Sequence, residues 1–264
     1  MSGRKYKAGE VLRYEMTGSN RGWEYTVQAE AVVKQDDTGV FYEQIGWSNL
    51  RSNAPMTLSP ISLSFRQNLS IAGTDKYLVV PDLSKVQPFL IGPITDMLTI
   101  YSDVFIAGQM KLVREGQHAY FAHGTPSSWA DGQRVVEGED SIDFDMTLLE
   151  VKPADHTATL LVRHVAPEHP QVQLSAPWMK APVANGANNW VQVEKTGTGY
   201  TAQVGSEMFE VKIVLDTRDG SIVLAKLHNP VVAISRDCVD TALTQCSVTT
   251  PETIVREVSL RQLP

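Results

Sequence analysis

Apolar and polar residues alternate with a period of two through most of the chain. In GWEYTVQAEAVVK, Trp23, Tyr25, Val27, Ala29, Ala31 and Val33 fall on one side and Glu24, Thr26, Gln28 and Glu30 on the other. That is the mark of a strand with one buried and one wet face. Upstream, Leu12, Tyr14 and Met16 alternate in EVLRYEMTG, GSNRG reads as a hairpin loop, and QDDTG turns the chain into GVFYEQIGW. Three strands joined by short polar turns predict a meander. Two more are expected at residues 62–72 and 75–83.

The period then changes. In PITDMLTIYSDVFIAG, Ile94, Met97, Leu98, Tyr101, Val104 and Phe105 recur at helical spacing, with Pro93 at a first helical position and Gly108 at the C-terminal cap. This predicts one amphipathic helix over about 93–107, packed on a sheet. Strand patterns resume in KLVREGQHAYFAH, IDFDMTLLEV, TATLLVRHV, NNWVQVEK, GYTAQVG, EMFEVKIVLDTRDGSIVLAKLH and TIVREVSLRQL, with Arg218-Asp219-Gly220 as a hairpin signal. A short C-terminal helix is expected at about 238–245. The fold class is therefore mainly β (α+β), with about a dozen antiparallel strands in one large curved or partly closed sheet.

The proline-rich stretch from Val165 to Asn189 contains Trp178 and Met179, which a linker has little use for. It reads as a long ordered loop over one end of the sheet, so residues 1–264 are taken as one β-rich domain, with a subdivision near 166–188 as the alternative.

Composition narrows the function classes. Of the 264 residues, 42% are hydrophobic and 20% charged, values of a folded protein with a core. The net charge is −7 and the 23 basic residues form no basic stripe, which argues against nucleic acid. No apolar run in the sequence reaches the roughly 18–20 residues of a membrane span, and the first 16 residues hold no apolar stretch of signal type. Cys238 and Cys246 can bridge only if the chain between them curls back, because a straight helix would carry them about 12 Å apart. A bridge would favour a periplasmic or secreted protein whose export signal has been removed over a cytoplasmic one.

One stretch asks for chemistry. GEDSIDFDMTLLEV sets Asp143 and Asp145 two apart on one face of a strand. Joining this strand to TATLLVRHV through KPADH pairs Val151 with Thr157, Leu148 with Leu160, Met146 with Val162, Asp145 with Arg163 and Phe144 with His164. Asp145 then has a cross-strand cation, Asp143 faces only Val165, and His164 sits on the apolar face as a hydrogen-bonded core histidine.

Polar residues also crowd the segment before it, from His118 through the loop HGTPSSWADG to EGED. Paired carboxylates beside a histidine suit general acid–base work, so Asp143, Asp140, His123, Asp131 and Asp145 are the catalytic candidates. Trp129, Ser128, His118, Trp178 and Trp190 are candidates for holding substrate, the last two beside Asn188 and Asn189 in the manner of a sugar-binding surface. Glu139 and Asp140 offer hard oxygen ligands for a divalent cation, calcium before zinc. The expected function is an exported hydrolase acting on a small-molecule ester or glycoside. The alternative is a non-enzymatic protein holding an apolar or glycan ligand in a cavity of the sheet.

Overall fold

The computed structural model describes residues 3–72, 75–123, 129–130, 134–138, 142–166, 170 and 172–264, without the side chains of residues 123, 129, 137 and 138. All fourteen described strands belong to one sheet, and every pairing in it is antiparallel. The sheet is curved and does not close. The expected meander is there: β1 (Val11–Asn20), β2 (Trp23–Gln35) and β3 (Phe41–Ser52) pair in sequence order. The even residues Leu12, Tyr14 and Met16 of β1 are buried, which turns Arg13, Glu15 and Thr17 outward.

The region after β3 departs from the expected two strands. Ser59 Oγ accepts from Ser62 N at 3.2 Å and caps a short helix, α1 (Pro60–Ser64). Only β4 (Arg66–Leu69) remains extended in the sheet, on the edge of β3. Residues 75–83 form a 3-10 turn and a connection that buries Leu83 rather than a strand.

The long helix α2 runs from Pro88 to Gln109, five residues earlier than its pattern implied. Pro88 takes the first helical position, where no N–H is needed, and Leu90 and Ile91 extend the buried stripe backwards. Pro93 falls inside the helix and Gly108 does not stop it, because the cap is at Met110. Of the described helices, α2 is the one apolar enough to cross a bilayer by length and composition. Here it packs on the inner face of the sheet, with Leu90, Ile94, Met97 and Tyr101 against β1–β3 and Ile106 and Ala107 against a separate branch.

That branch arises from one strand pair. β11 (Gly199–Glu207) and β12 (Phe209–Asp216) lie end to end along β13 (Ile222–Cys238) in a single register, with Glu207 opposite Val231 and Glu210 opposite His228. On their other edge they diverge. β11 continues through β10 (Trp190–Thr196), β7 (Arg134–Gly138) and β6 (Trp129–Ala130), while β12 continues through β9 (Thr157–Val165), β8 (Ile142–Lys152) and β5 (His118–His123). The far edge of β13 pairs with β14 (Thr250–Leu263), which pairs with β1.

The break at Met208 has a local cause. Pro230, in this register opposite Met208, has no N–H to give the ladder. Asn229 Nδ2 donates to the Met208 carbonyl at 2.6 Å in its place. Across the gap, the Asn189 side chain accepts from Glu207 N at 2.7 Å and donates to Glu207 O at 3.1 Å, standing in for the absent strand.

The expected C-terminal helix is a turn. Cys238 and Cys246 are disulfide-bonded, and the Asp240 carboxylate accepts from the N–H groups of Thr244 and Gln245, at 3.0 Å and 2.8 Å. Leu243 takes a positive φ of 55° within the loop. These bonds curl the chain back where a helix would have carried it away.

Candidate functional site

The inner face, beneath α2, holds titratable groups that the helical period places towards the sheet. His164 of β9 stacks on Phe209 and meets Phe144 edge-on, and its Nε2 lies 2.6 Å from Asp103 Oδ1 of α2. Two helical turns away, Asp96 is ion-paired with Arg256 of β14 at 2.7 Å, and Arg256 also donates to Asn229 Oδ1 at 3.2 Å. Asn229 in turn donates to the carboxylate of half-buried Glu207 at 3.1 Å. Burial pushes Asp96, Asp103 and Glu207 above the ordinary carboxylate range, opposed by Arg256 at Asp96 and Glu207 and by His164 at Asp103. A second inner cluster joins Glu43, Tyr101 and Arg4 nearer the edge of β3.

The outer face carries the open site. A groove of about 590 Å3 crosses the strands β3, β2, β1, β14 and β13, within the usual range for a ligand pocket. Strand register lays its lining out in rows. Arg51 stands opposite Thr26, Thr26 opposite Thr17, Thr17 opposite Ser259, and Ser259 opposite Lys226. The next row runs from Glu24 to Ser19 to Glu257. Tyr25, which also lines the groove, is packed on Trp23 at 4.8 Å between ring centres. Hydroxyls lie between cations and carboxylates, an arrangement that can exchange hydrogen bonds with a polyol.

The same rows account for the paired aspartates. The second row continues beyond Glu257 through His228, Glu210 and Arg163 to Asp145 and Tyr120. His228 Nδ1 lies 2.5 Å from Glu257 Oε1 and Arg163 Nε 2.9 Å from Glu210 Oε2. The expected register holds from Asp143 to Leu148, then slips at a bulge so that Val151 faces Ala158 instead of Thr157. The expected Asp145–Arg163 ion pair is replaced: Arg163 turns to Glu210, and Asp145 to His118. Asp143 accepts from the Tyr120 hydroxyl, which pushes the Tyr120 pKa up.

The candidate site residues therefore separate. Asp143, Asp145 and His118 are on the outer face, beside one another but open to water, and not in an inward patch. The alternation that buries Phe144 and Met146 requires this. His123 and Trp129 lie on β5 and β6 with side chains outside the described set, and Ser128, Asp131, Glu139 and Asp140 lie outside the described residues altogether. The cation expected at Glu139 and Asp140 falls there too, and no cluster of three His, Cys, Asp or Glu side chains able to hold a metal occurs among the described residues.

Trp178 and Trp190 do not form a sugar platform. Trp178 donates to the Leu243 carbonyl at 2.8 Å under the Arg236 guanidinium, and Trp190 is buried beside Val231 and Ile254. Asn188 and Asn189 spend their amides on backbone groups, Asn188 within the proline-rich crossing that joins β9 to β10 and Asn189 on Glu207 at the fork where β11 and β12 diverge. His164 is the core histidine expected. The groove residues escaped the sequence reading because each is an ordinary outward position, and the row exists only once five strands are paired. No protein-family model matches the chain, and no curated protein matches it in sequence.

Proposed function

We propose that the chain is an exported, non-enzymatic binding protein that holds a hydroxyl-rich, glycan-type ligand across the outer groove. The observation that carries this reading is the register row Arg51–Thr26–Thr17–Ser259–Lys226, which presents side-chain hydroxyls between two cations on a rigid five-stranded floor. A site built on strands holds its geometry better than one on loops. The Cys238–Cys246 disulfide supports export. A hydrolase reading draws on Asp143 and Asp145, whose carboxylates are taken up by Tyr120 and His118 on an open face; that placement supports catalysis less than the groove supports binding.

The test is calorimetric titration with a panel of oligosaccharides, neutral and acidic, on the intact chain and on Thr17→Val and Thr26→Val. Saturable binding to at least one sugar, weakened in both variants at unchanged melting temperature, is the expected result. Absence of binding across the panel overturns the reading. Turnover of chromogenic esters or glycosides that is lost in Asp143→Asn would favour the hydrolase instead.

A further inference from the structure

We infer that the ligand of the outer groove is anionic, a carboxylate-bearing oligosaccharide of uronic-acid type rather than a neutral one. This rests on the binding reading above and sharpens it. Arg51 and Lys226 line the groove at opposite ends of the hydroxyl row, and Lys212 of β12 stands directly opposite Lys226. Among the described residues none of these three cations has a hydrogen-bond or ion-pair partner, although the chain carries a net charge of −7.

The contrast with the neighbouring rows is what makes this informative. Glu257 is held by His228 and Glu210 by Arg163 in the next row, and on the opposite flank Glu15 is held by Arg261 at 2.8 Å. Acids around the groove are thus largely engaged, while the cations in it are not. Like charges opposite one another on paired strands destabilise a sheet, so Lys212 and Lys226 raise the energy of the empty protein. An anion seated between them would remove that repulsion and gain attraction as well.

Geometry sets the size. Strands lie about 4.8 Å apart, so four spacings put Arg51 about 19 Å from Lys226 along the row. A single sugar acid cannot meet both ends; an oligomer with repeated carboxylates can, while its hydroxyls face Thr26, Thr17 and Ser259. Glu24 and Glu257, on the adjacent row, are the lining carboxylates that such a ligand must tolerate, and of the two Glu257 is already engaged by His228.

The experiment titrates the intact protein with tetragalacturonate, with maltotetraose as the neutral oligomer of equal length, and with a single-stranded oligonucleotide of similar charge. Tetragalacturonate is expected to bind more tightly than the other two, and less tightly as salt rises. Arg51→Gln and Lys226→Gln should each weaken it about two- to fivefold, and Glu24→Gln should strengthen it, none of them lowering the melting temperature. Equal or tighter binding of maltotetraose overturns the anionic ligand while the binding reading survives. Preference for the oligonucleotide overturns the glycan in favour of a nucleic acid. If no oligosaccharide binds, both the inference and the reading beneath it fail.

Discussion

His164 Nε2 and Asp103 Oδ1 lie 2.6 Å apart, tying the β9 branch of the sheet to α2. The pair is inside the protein, with the Asp103 side chain fully buried and Asp103 Oδ2 without a hydrogen-bond partner among the described residues. Facing the same cluster are Asp96 from the helix, Arg256 from β14 and Glu207 beside the fork. Burial raises all three carboxyls, so each binds its proton more tightly in the folded chain than in the unfolded one. The stability they contribute is whole below about pH 4, the ordinary carboxylate range. It declines as pH climbs through the raised values.

Urea unfolding should therefore show a lower midpoint at pH 8 than at pH 5. In Asp103→Asn, which keeps the hydrogen bond and removes the titration, that difference should shrink. A variant with the same pH profile as the parent would show that Asp103 titrates alike in both states.

Arg4 offers a sharper test of buried charge. Its side chain is fully buried, 2.8 Å from Glu10, 3.5 Å from Glu43 and stacked on the Tyr6 ring. Glu43 is itself buried and accepts from the Tyr101 hydroxyl of α2 at 2.5 Å. Removing one partner of such a pair strands the other charge, at a cost of about 3–5 kcal/mol. Arg4→Met should lose stability on that scale, and the double variant Arg4→Met/Glu43→Gln should recover most of it. No recovery would mean that Arg4 acts through packing alone.

The fold was legible where the physics is local. Alternation located β1–β3, and the short link KPADH fixed Asp145 opposite Arg163 and His164 against the apolar face. The bulge beyond Leu148 was hidden, since nothing in the letters marks an extra residue in Thr147-Leu148-Leu149-Glu150. Asn229-Pro230 read as the end of a strand, yet β13 passes through it because Asn229 supplies the missing hydrogen bond. Arg4 has no signal of its own in the sequence, because its burial depends on residues up to 215 positions away, at Asp219. The groove was illegible for the same reason: its row joins residues 17, 26, 51, 226 and 259 through pairings no single segment encodes.

Trp178 is anchored on the loop that the disulfide closes. Its indole N–H donates to Leu243 O, and Leu243 is buried with Met179, Ala176 and Cys238 in one small core. Loop closure over a separation of eight residues is worth about 2.5 kcal/mol in the unfolded-state entropy model. Cys238→Ser/Cys246→Ser should lower stability by about that amount. It should also speed hydrogen exchange selectively at Met179, whose N–H donates to Ala176 O within the crossing. Faster exchange everywhere, without a focus there, would show that the crossing does not depend on the bridge.

Arg163 and His164 are neighbours on β9 that the sheet sends to opposite worlds. Arg163 faces outward and pairs with Glu210 where both side chains are about half exposed, at 53% and 47%. Such pairs contribute about 0.2–1 kcal/mol, and less as salt screens them. His164 is turned in between Phe144 and Phe209, with only 12% of its side chain exposed. Replacing it by alanine leaves a void and an unpaired Asp103, a loss of about 3 kcal/mol. Arg163→Ala should cost less than about 1 kcal/mol, and Asp145→Asn, further along the same outer row, no more than about 0.5 kcal/mol. Chemical denaturation of the three variants measures this directly. Comparable losses at positions 163 and 164 would mean that β9 does not divide its faces as described, and the outer row of charges, together with the groove built on the same alternation, would have to be redrawn.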